Sequence, residues 1–317
     1  MRKFGYNFIY LTILTILIFG IFFYLPTKAQ EMPEDARSIT ISPLTYELSA
    51  NPGEQIANKI KIINTGPQPI FVTMEVEDFT AVGEGGGVVV QEQENKTFSL
   101  AAWVNLSETQ FTLAPAEQKI VDFTVNVPLD GEPGGHYGSI LAVASPPEVL
   151  AGGGSGIAQK VGSLILLSVA GEVTEQLSVK EFSTATFFEK PPIDFILRFE
   201  NKGTVHVRPR GFVSITNMFG KKEVDIPFPQ KNVLPASIRK IDVRWDPPLA
   251  IGKYTATLVA NYGTENTPLV STFVFWVFPW KLALLIFVVL VIVITLLIKS
   301  RRRLRLALRI LLKGDKN

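Results

Sequence analysis

The sequence predicts an all-β chain of two tandem β-sandwich domains, with an N-terminal signal helix and a C-terminal transmembrane helix. Three observations carry that expectation. Apolar residues between 38 and 275 recur at period two in short runs bounded by Gly, Pro, Asn and Asp, and no segment of 31–275 holds a helical period over ten residues. The order of turns and strands in the first half returns in the second. Leu282 to Ile298 is a run of seventeen residues without charge, with Thr295 its only polar member.

Composition excludes several function classes. With no Cys there is no disulfide, thiolate metal site, cysteine nucleophile or lipobox anchor. The domains must then rely on burial, so they should be of ordinary size with full cores. The net charge of +2 averages two regions. Residues 31–280 hold 19 Lys and Arg against 28 Asp and Glu, whereas 299–317 hold 8 basic residues and only Asp315 as an acid. An acidic body argues against nucleic acid, which needs a basic footprint.

Residues 1–29 read as a signal peptide: Arg2 and Lys3 precede the apolar run Phe8–Leu25, and Thr27-Lys28-Ala29 offers small residues for cleavage after Ala29. The run is long, so an uncleaved signal anchor is the alternative, and both versions export residue 31. Glu31 to Arg37 is a solvated lead-in.

The first sandwich is placed at 38–176. Ser38–Leu48 alternates, with Pro43 marking an edge strand or a bulge. After the turn Asn51–Glu54, Ile60 and Ile62 share one face and Lys59 and Lys61 the other. Asn64–Pro67 turns the chain into the strand Ile70–Phe79. Gly83–Gly87 is a flexible tip that lacks the Gly-Lys-Ser/Thr of a phosphate cradle. In Gln118–Val127, residues Val121, Phe123, Val125 and Val127 share one face. A loop at 128–135, the strand His136–Ser145, a second tip at Gly152–Gly156 and the strand Ile157–Ala170 complete the unit. Extra strands or hairpins are expected near 80–110 and 145–160.

A second sandwich, 177–275, repeats this grammar. KIKIINTGPQPI (Lys59–Ile70) lines up with FILRFENKGTVHV (Phe195–Val207), and TLAPAEQKIVDFTVNV (Thr112–Val127) with VLPASIRKIDVRW (Val233–Trp245). GHYGSILAVA (Gly135–Ala144) lines up with GKYTATLVAN (Gly252–Asn261). Each unit is expected to be an immunoglobulin-like sandwich of seven or eight strands. The joint at 171–180 has no Pro/Gly-rich linker, so the units should abut.

Residues 276–298 form the predicted transmembrane helix. Trp276 and Trp280 sit at one end, at headgroup level, and Lys299, Arg301, Arg302 and Arg303 open a basic tail, 299–317, that holds the other end in the cytoplasm. The tail is a topology signal first; its LRLALRILLK pattern also suits the inner leaflet or a docking partner.

No constellation carries catalysis, and no catalytic, cofactor-binding or metal-ligating residue is assigned. His136 and His206 lack ligand spacing and read as strand-edge side chains. Glu75 and Glu77 share a strand face, beside Asp78, as exposed acids do. No Ser stands in a G-x-S-x-G elbow. Asn95-Lys96-Thr97 and Asn105-Leu106-Ser107 are glycosylation patterns that matter only in a eukaryotic secretory route. Tyr137 and Tyr254, in the Gly-x-Tyr repeats, are expected as core or corner tyrosines, with Trp103 and Trp245 filling the cores. The loop tips 80–95, 129–136 and 150–157 are the candidate binding surface.

SPLTYELSANPGEQIANKIKIINTG, followed by FTLAPAEQKIVDFTVNVPLDGEPGGHYGSILAV, resembles the first domain of the WxL-interacting proteins of bacterial cell surfaces. LAIGKYTATLVANYG with the following span and basic tail resembles that family's second domain and anchor, so the resemblance covers roughly 38–317. It implies a first domain that binds peptidoglycan or a wall-attached partner and a second that binds a protein or matrix ligand. The expectation is a membrane-anchored, outward-facing, non-enzymatic surface adaptor, partnered by peptidoglycan or surface proteins and by the lipid bilayer, with no cofactor and no small-molecule substrate. The alternatives are an export or assembly accessory of pilus-chaperone type, with Ser38–Leu48 as its open edge, and a transmembrane sensor acting through the basic tail.

Overall fold

The computed structural model describes residues 39–90, 96–145 and 158–312, with only the backbone of Lys96 and of residues 300–312. The signal segment, Asn95, the Gly152–Gly156 tip and residues 313–317 lie outside the described residues.

Ten strands build the first sandwich: β1 (Ile39–Ser42), β2 (Thr45–Ala50), β3 (Gln55–Asn64), β4 (Ile70–Val82), β5 (Gly87–Val90), β6 (Val104–Leu106), β7 (Gln110–Leu113), β8 (Gln118–Asn126), β9 (Gly134–Ser145) and β10 (Gln159–Val169). One sheet runs β1-β3-β8-β6; the other runs β2-β10-β9-β4, with β5 and β7 both pairing β4. Pro43 follows a cis bond from Ser42 and stands where the chain leaves one sheet for the other. β1 pairs β3 antiparallel and β2 pairs β10 parallel. The proline's missing N–H thus falls between two edge strands, where no ladder bond is lost.

The period-two pattern buries what it should. Ile60, Ile62, Val121, Phe123 and Val125 from one sheet meet Ile140, Ala142, Ile165 and Leu167 from the other. Full burial of one large aliphatic side chain is worth roughly 1.5–3 kcal/mol, so this interior holds the fold without disulfides.

The second sandwich has eight strands: β11 (Leu177–Ser183), β12 (Phe187–Phe188), β13 (Ile193–Asn201), β14 (Arg210–Asn217), β15 (Lys222–Pro227), β16 (Ile238–Trp245), β17 (Gly252–Tyr262) and β18 (Thr267–Val277). They form the sheets β11-β13-β16 and β12-β18-β17-β14-β15. Phe195, Phe199, Trp245 and Phe275 fill the space between them.

The repeat legible in the sequence has a physical core, a buried asparagine. Asn64 and Asn201 are both inaccessible to solvent. Asn64 Nδ2 donates to the carbonyls of Gln68, Leu113 and Ala114 (2.8, 3.3 and 3.1 Å), and its Oδ1 accepts from Gly66 N. Asn201 Nδ2 donates to Val205 and Val233 (2.9 and 2.8 Å), and its Oδ1 accepts from Gly203 N. Each amide ties its Asn-x-Gly turn to a distant Pro-Ala turn. Those turns also match: Ala116 and Ala236 both have positive φ, after Pro115 and Pro235, and each turn is closed by an i to i+3 bond.

The third alignment is out of phase. Ile140, Ala142 and Ala144 of β9 face their core, which puts Tyr137 on the opposite face of the sheet. In β17, Tyr254, Ala256, Leu258 and Ala260 face inward. Matching the two Gly-x-Tyr sequences therefore pairs tyrosines from opposite faces, since a shift of one residue exchanges the faces of a strand. Tyr254 is the expected corner tyrosine, its hydroxyl bonded to the backbone of Ile251. Tyr137 is not; it lies between the two units.

The second sandwich runs to Val277, two residues past the expected 275. Phe275 and Val277 are buried and Trp276 faces out, paired with Lys253 and Phe187. Trp276 is thus a strand residue, and the helix expected over 276–298 starts at Trp280: α1 spans Trp280–Leu312. Pro279 explains the boundary, because the residue before a proline is kept out of helical geometry. The window Trp280–Lys299 has a mean hydropathy of 3.2 and none of it is buried in the body. Thr295, the one polar residue between Leu282 and Ile298, donates back to the carbonyl of Val291 at 2.7 Å.

Candidate functional site

The glycine-rich tip at 83–87 joins the two units instead of standing free. It closes the β4–β5 hairpin, and its end reaches the second sandwich. Lys240 N donates to the Glu84 carbonyl at 2.7 Å and Arg198 Nε to the Glu84 carboxylate at 2.6 Å. Arg239 lies over Gly86, whose φ of 88° is one that glycine adopts without strain. Burial lowers the pKa of Arg239.

The rest of the joint covers part of the outer face of the β2-β10-β9-β4 sheet. Phe79, Tyr137 and Leu166 are buried there, with Leu234 of the second unit packed against them. Gly135 N donates to Thr204 O at 2.8 Å, and Glu47 accepts from Asn232 Nδ2 at 2.8 Å and from Arg208. The Tyr137 hydroxyl lies 3.3 Å from His206 Nδ1. Burial raises the pKa of Tyr137 and pushes that of His206 down to about 4, so both are uncharged at neutral pH. The abutting units expected from the short joint thus share an apolar and hydrogen-bonded interface.

The other residues singled out in the sequence have structural partners. His136 is buried, with Nδ1 3.0 Å from Ser99 O and Nε2 2.8 Å from Glu132 O, so both ring nitrogens are engaged by main chain. Glu75 and Glu77 are bridged by Lys160 Nζ, 2.9 Å from each. Asp78 is buried and accepts from Ser99 Oγ, Leu100 N and Ala101 N, which anchors the short 3-10 turn at Ala101–Trp103. Among the described residues no group of three His, Cys, Asp or Glu is placed to hold a metal ion. Trp245 fills its core as expected, whereas Trp103 is half-buried and lies 4.3 Å from the His136 ring, centroid to centroid. That pair borders a depression of about 390 Å³ reached by Asp130 and Glu132, within the expected 129–136 loop.

A larger feature was not anticipated from sequence. β15 and β16 are edge strands of the two sheets of the second sandwich, and an open groove of about 670 Å³ lies between them. Trp245, Tyr254, Val224 and Ile226 form its apolar lining, which runs on to Leu249 and Ile251 of the β16–β17 loop; Glu223, Arg244 and Asp246 are exposed at its rim. The Glu84 carbonyl already bonds the outer edge of β16 at Lys240. Main-chain groups alternate along a strand, so Asp242 and Arg244 present the same edge beyond that bond. The only sequence signal for this site was the eight-residue alternation of β16; that β16 is an edge is decided by strand order.

No family model matches the chain, and no curated protein matches it. Among solved structures the class 5 fimbriae chaperone CfaA is similar at 12% identity and a TM-score of 0.40, over 74% of this chain and 98% of that one. The E. coli chaperone DraB is similar at 14% identity and 0.34, over 75% and 98%. A protein of unknown function from Porphyromonas gingivalis W83 is similar at 12% and 0.31, over 73% and 98%. At these identities and scores the likeness stops at tandem β-sandwiches.

Proposed function

We propose that this chain is a membrane-anchored, extracytoplasmic, non-enzymatic adaptor that binds an extended segment of a partner protein along the open side of its second sandwich. The observation that carries this is the free edge of β16 beside an apolar groove, already bonded at one point by the chain's own hairpin. A partner strand would continue that pairing, with main-chain hydrogen bonds supplying affinity and the groove selecting alternate side chains. α1 would cross the bilayer with Trp280 at the outer headgroups and Lys299, Arg301, Arg302 and Arg303 inside, its window of 20 residues spanning about 30 Å. The first sandwich would then stand at the far end of β18, about 35 Å farther out.

The test is photocrosslinking in intact cells, with the reactive residue at Ile226 or Arg244 and, as control, at the exposed Ile120 of the first sandwich. A discrete adduct at the groove positions that is missing at Ile120 is expected. Equal labelling at all three would overturn the site.

A second reading concerns the first sandwich, where the Trp103–His136 depression with Asp130 and Glu132 suits the stacked face and hydroxyls of a sugar. It fits the resemblance of residues 38–176 to the wall-binding domain of WxL-interacting proteins. Detergent-solubilised chain should then pellet with cell-wall sacculi, and Trp103→Ala should abolish pelleting without unfolding the chain.

A further inference from the structure

We propose that the lower end of the second sandwich itself rests in the outer surface of the bilayer, through the tips of its β14–β15 turn and β16–β17 loop. This rests on the reading of α1 as a membrane span.

Strand register brings the tips and the helix to one end. Asn217 pairs Tyr254, and Gly252 pairs Val277. The turn after Asn217, the loop before Gly252 and the exit to α1 therefore share a level. Met218 Sδ lies 3.2 Å from the position a Cβ on Gly252 would take, so the two tips touch. Phe219 is 85% exposed and Leu249 71%, with Met218 and Ile251 exposed beside them. A lone exposed apolar residue is ordinary; four on two adjoining tips form a patch that calls for a covering surface.

What covers it follows from the chain's continuity. Only Phe278 and Pro279 separate β18 from α1. Trp276 N donates to Thr186 O and Phe278 N to Phe188 O, both at 2.9 Å, and Lys281 Nζ pairs with Glu189 at 2.7 Å. The start of the helix is thereby braced against the sandwich, and the tips cannot lie far from the headgroup level at Trp280. Half-exposed Trp276, Phe278 and Trp280 continue the apolar surface. Lys190, Lys221 and Lys253 are exposed around this end, on a body whose charge is otherwise acidic. Glu223 and Asp246 are exposed at the same end, so its charge is mixed, and the apolar and aromatic tips with their lysines match a lipid interface.

The experiment uses the full chain in vesicles of phosphatidylcholine and phosphatidylglycerol. Because the chain has no cysteine, one introduced Cys carries one NBD label, placed at Phe219, Leu249, Val288 or Ile120. Doxyl groups placed shallow in the lipid should quench the labels at Phe219 and Leu249, consistent with tips about 5–10 Å into the headgroup and acyl boundary. The label at Ile120 should stay in water and that at Val288 should be quenched by deep doxyl groups. Deep quenching at Val288 with wet labels at Phe219 and Leu249 overturns the proposal and leaves the span standing. A wet label at Val288 overturns the span, and the proposal with it. A blue shift at Phe219 without lipid quenching means that protein covers the tips, which also overturns it.

Discussion

The two sandwiches use the same buried asparagine and the same Pro-Ala turn, yet their sheet faces and edges serve opposite ends. In the first, the part of the outer face of the β2-β10-β9-β4 sheet that carries Phe79, Tyr137 and Leu166 is apolar and buried, with Leu234 of its neighbour packed against it. In the second, the corresponding resources lie open: a groove between the edges of β15 and β16, and apolar tips at the end nearest α1. A repeated local motif therefore fixes how a sandwich is closed and says little about which of its surfaces is used. That division can be broken or sharpened at four points.

The largest effect is expected at the asparagines. Asn64→Ala strands three backbone carbonyls and the Gly66 amide; Asn201→Ala strands two carbonyls and the Gly203 amide. Each should cost its own unit about 3 kcal/mol or more, with Asn64 the more damaging. Hydrogen exchange resolved by unit reads this out, and equal loss in both units from either change would show that they fold as one.

Next comes the joint. His206 keeps a pKa of about 4 where it is buried and returns to about 6.5 when the units part. The separated state therefore takes up a proton first, and docking is complete above about pH 6.5 and weakens as pH falls toward 4. The loss approaches about 3 kcal/mol at the acid limit. Exchange at the Gly135 amide, which bonds Thr204 O, should speed up over this range, and His206→Gln should remove the pH dependence.

The tyrosines give a smaller, more specific contrast. Tyr254→Phe loses the corner bond to Ile251 and should lower the stability of the second unit by about 1 kcal/mol. Tyr137→Phe should leave the first unit's own stability unchanged and loosen only the joint. If Tyr137→Phe lowers the first unit's stability as much, the difference in phase between β9 and β17 is wrong.

Smallest is the shared turn. Ala116→Gly and Ala236→Gly relieve a positive φ in an alanine but loosen the unfolded chain, so each should change stability by under about 1 kcal/mol. Valine at either position should destabilise by more than glycine does, and a thermal melt of each pair reads the sign.

Much of this fold is legible in the sequence. The alternation of Ile60 with Lys59 and Lys61, the inward face of Val121, Phe123 and Val125, and the long apolar run after Trp280 are patterns with periods of a few residues, so each is written locally. The Asn-x-Gly match was legible for the same reason, although the reach of Asn64 to Leu113 and Ala114 was not. The glycine-rich tip shows the limit: GEGGG reads as a free turn, and only the second unit supplies the Lys240 amide and the Arg198 side chain that hold it. Trp276 shows another, since Pro279, three residues on, decides strand against helix more firmly than hydropathy does.

The sequence by itself determined the strands, the turns and the membrane-length helix, because side-chain periodicity, turn chemistry and transfer free energy act over a few neighbouring residues. Strand order and register decided the rest: that Tyr137 faces the second unit, that β15 and β16 are edges over a groove, and that Phe219, Leu249 and Trp280 share one end. These are contacts between residues tens of positions apart, and shifting a strand's register by one residue would exchange its buried and exposed faces while leaving every local pattern intact.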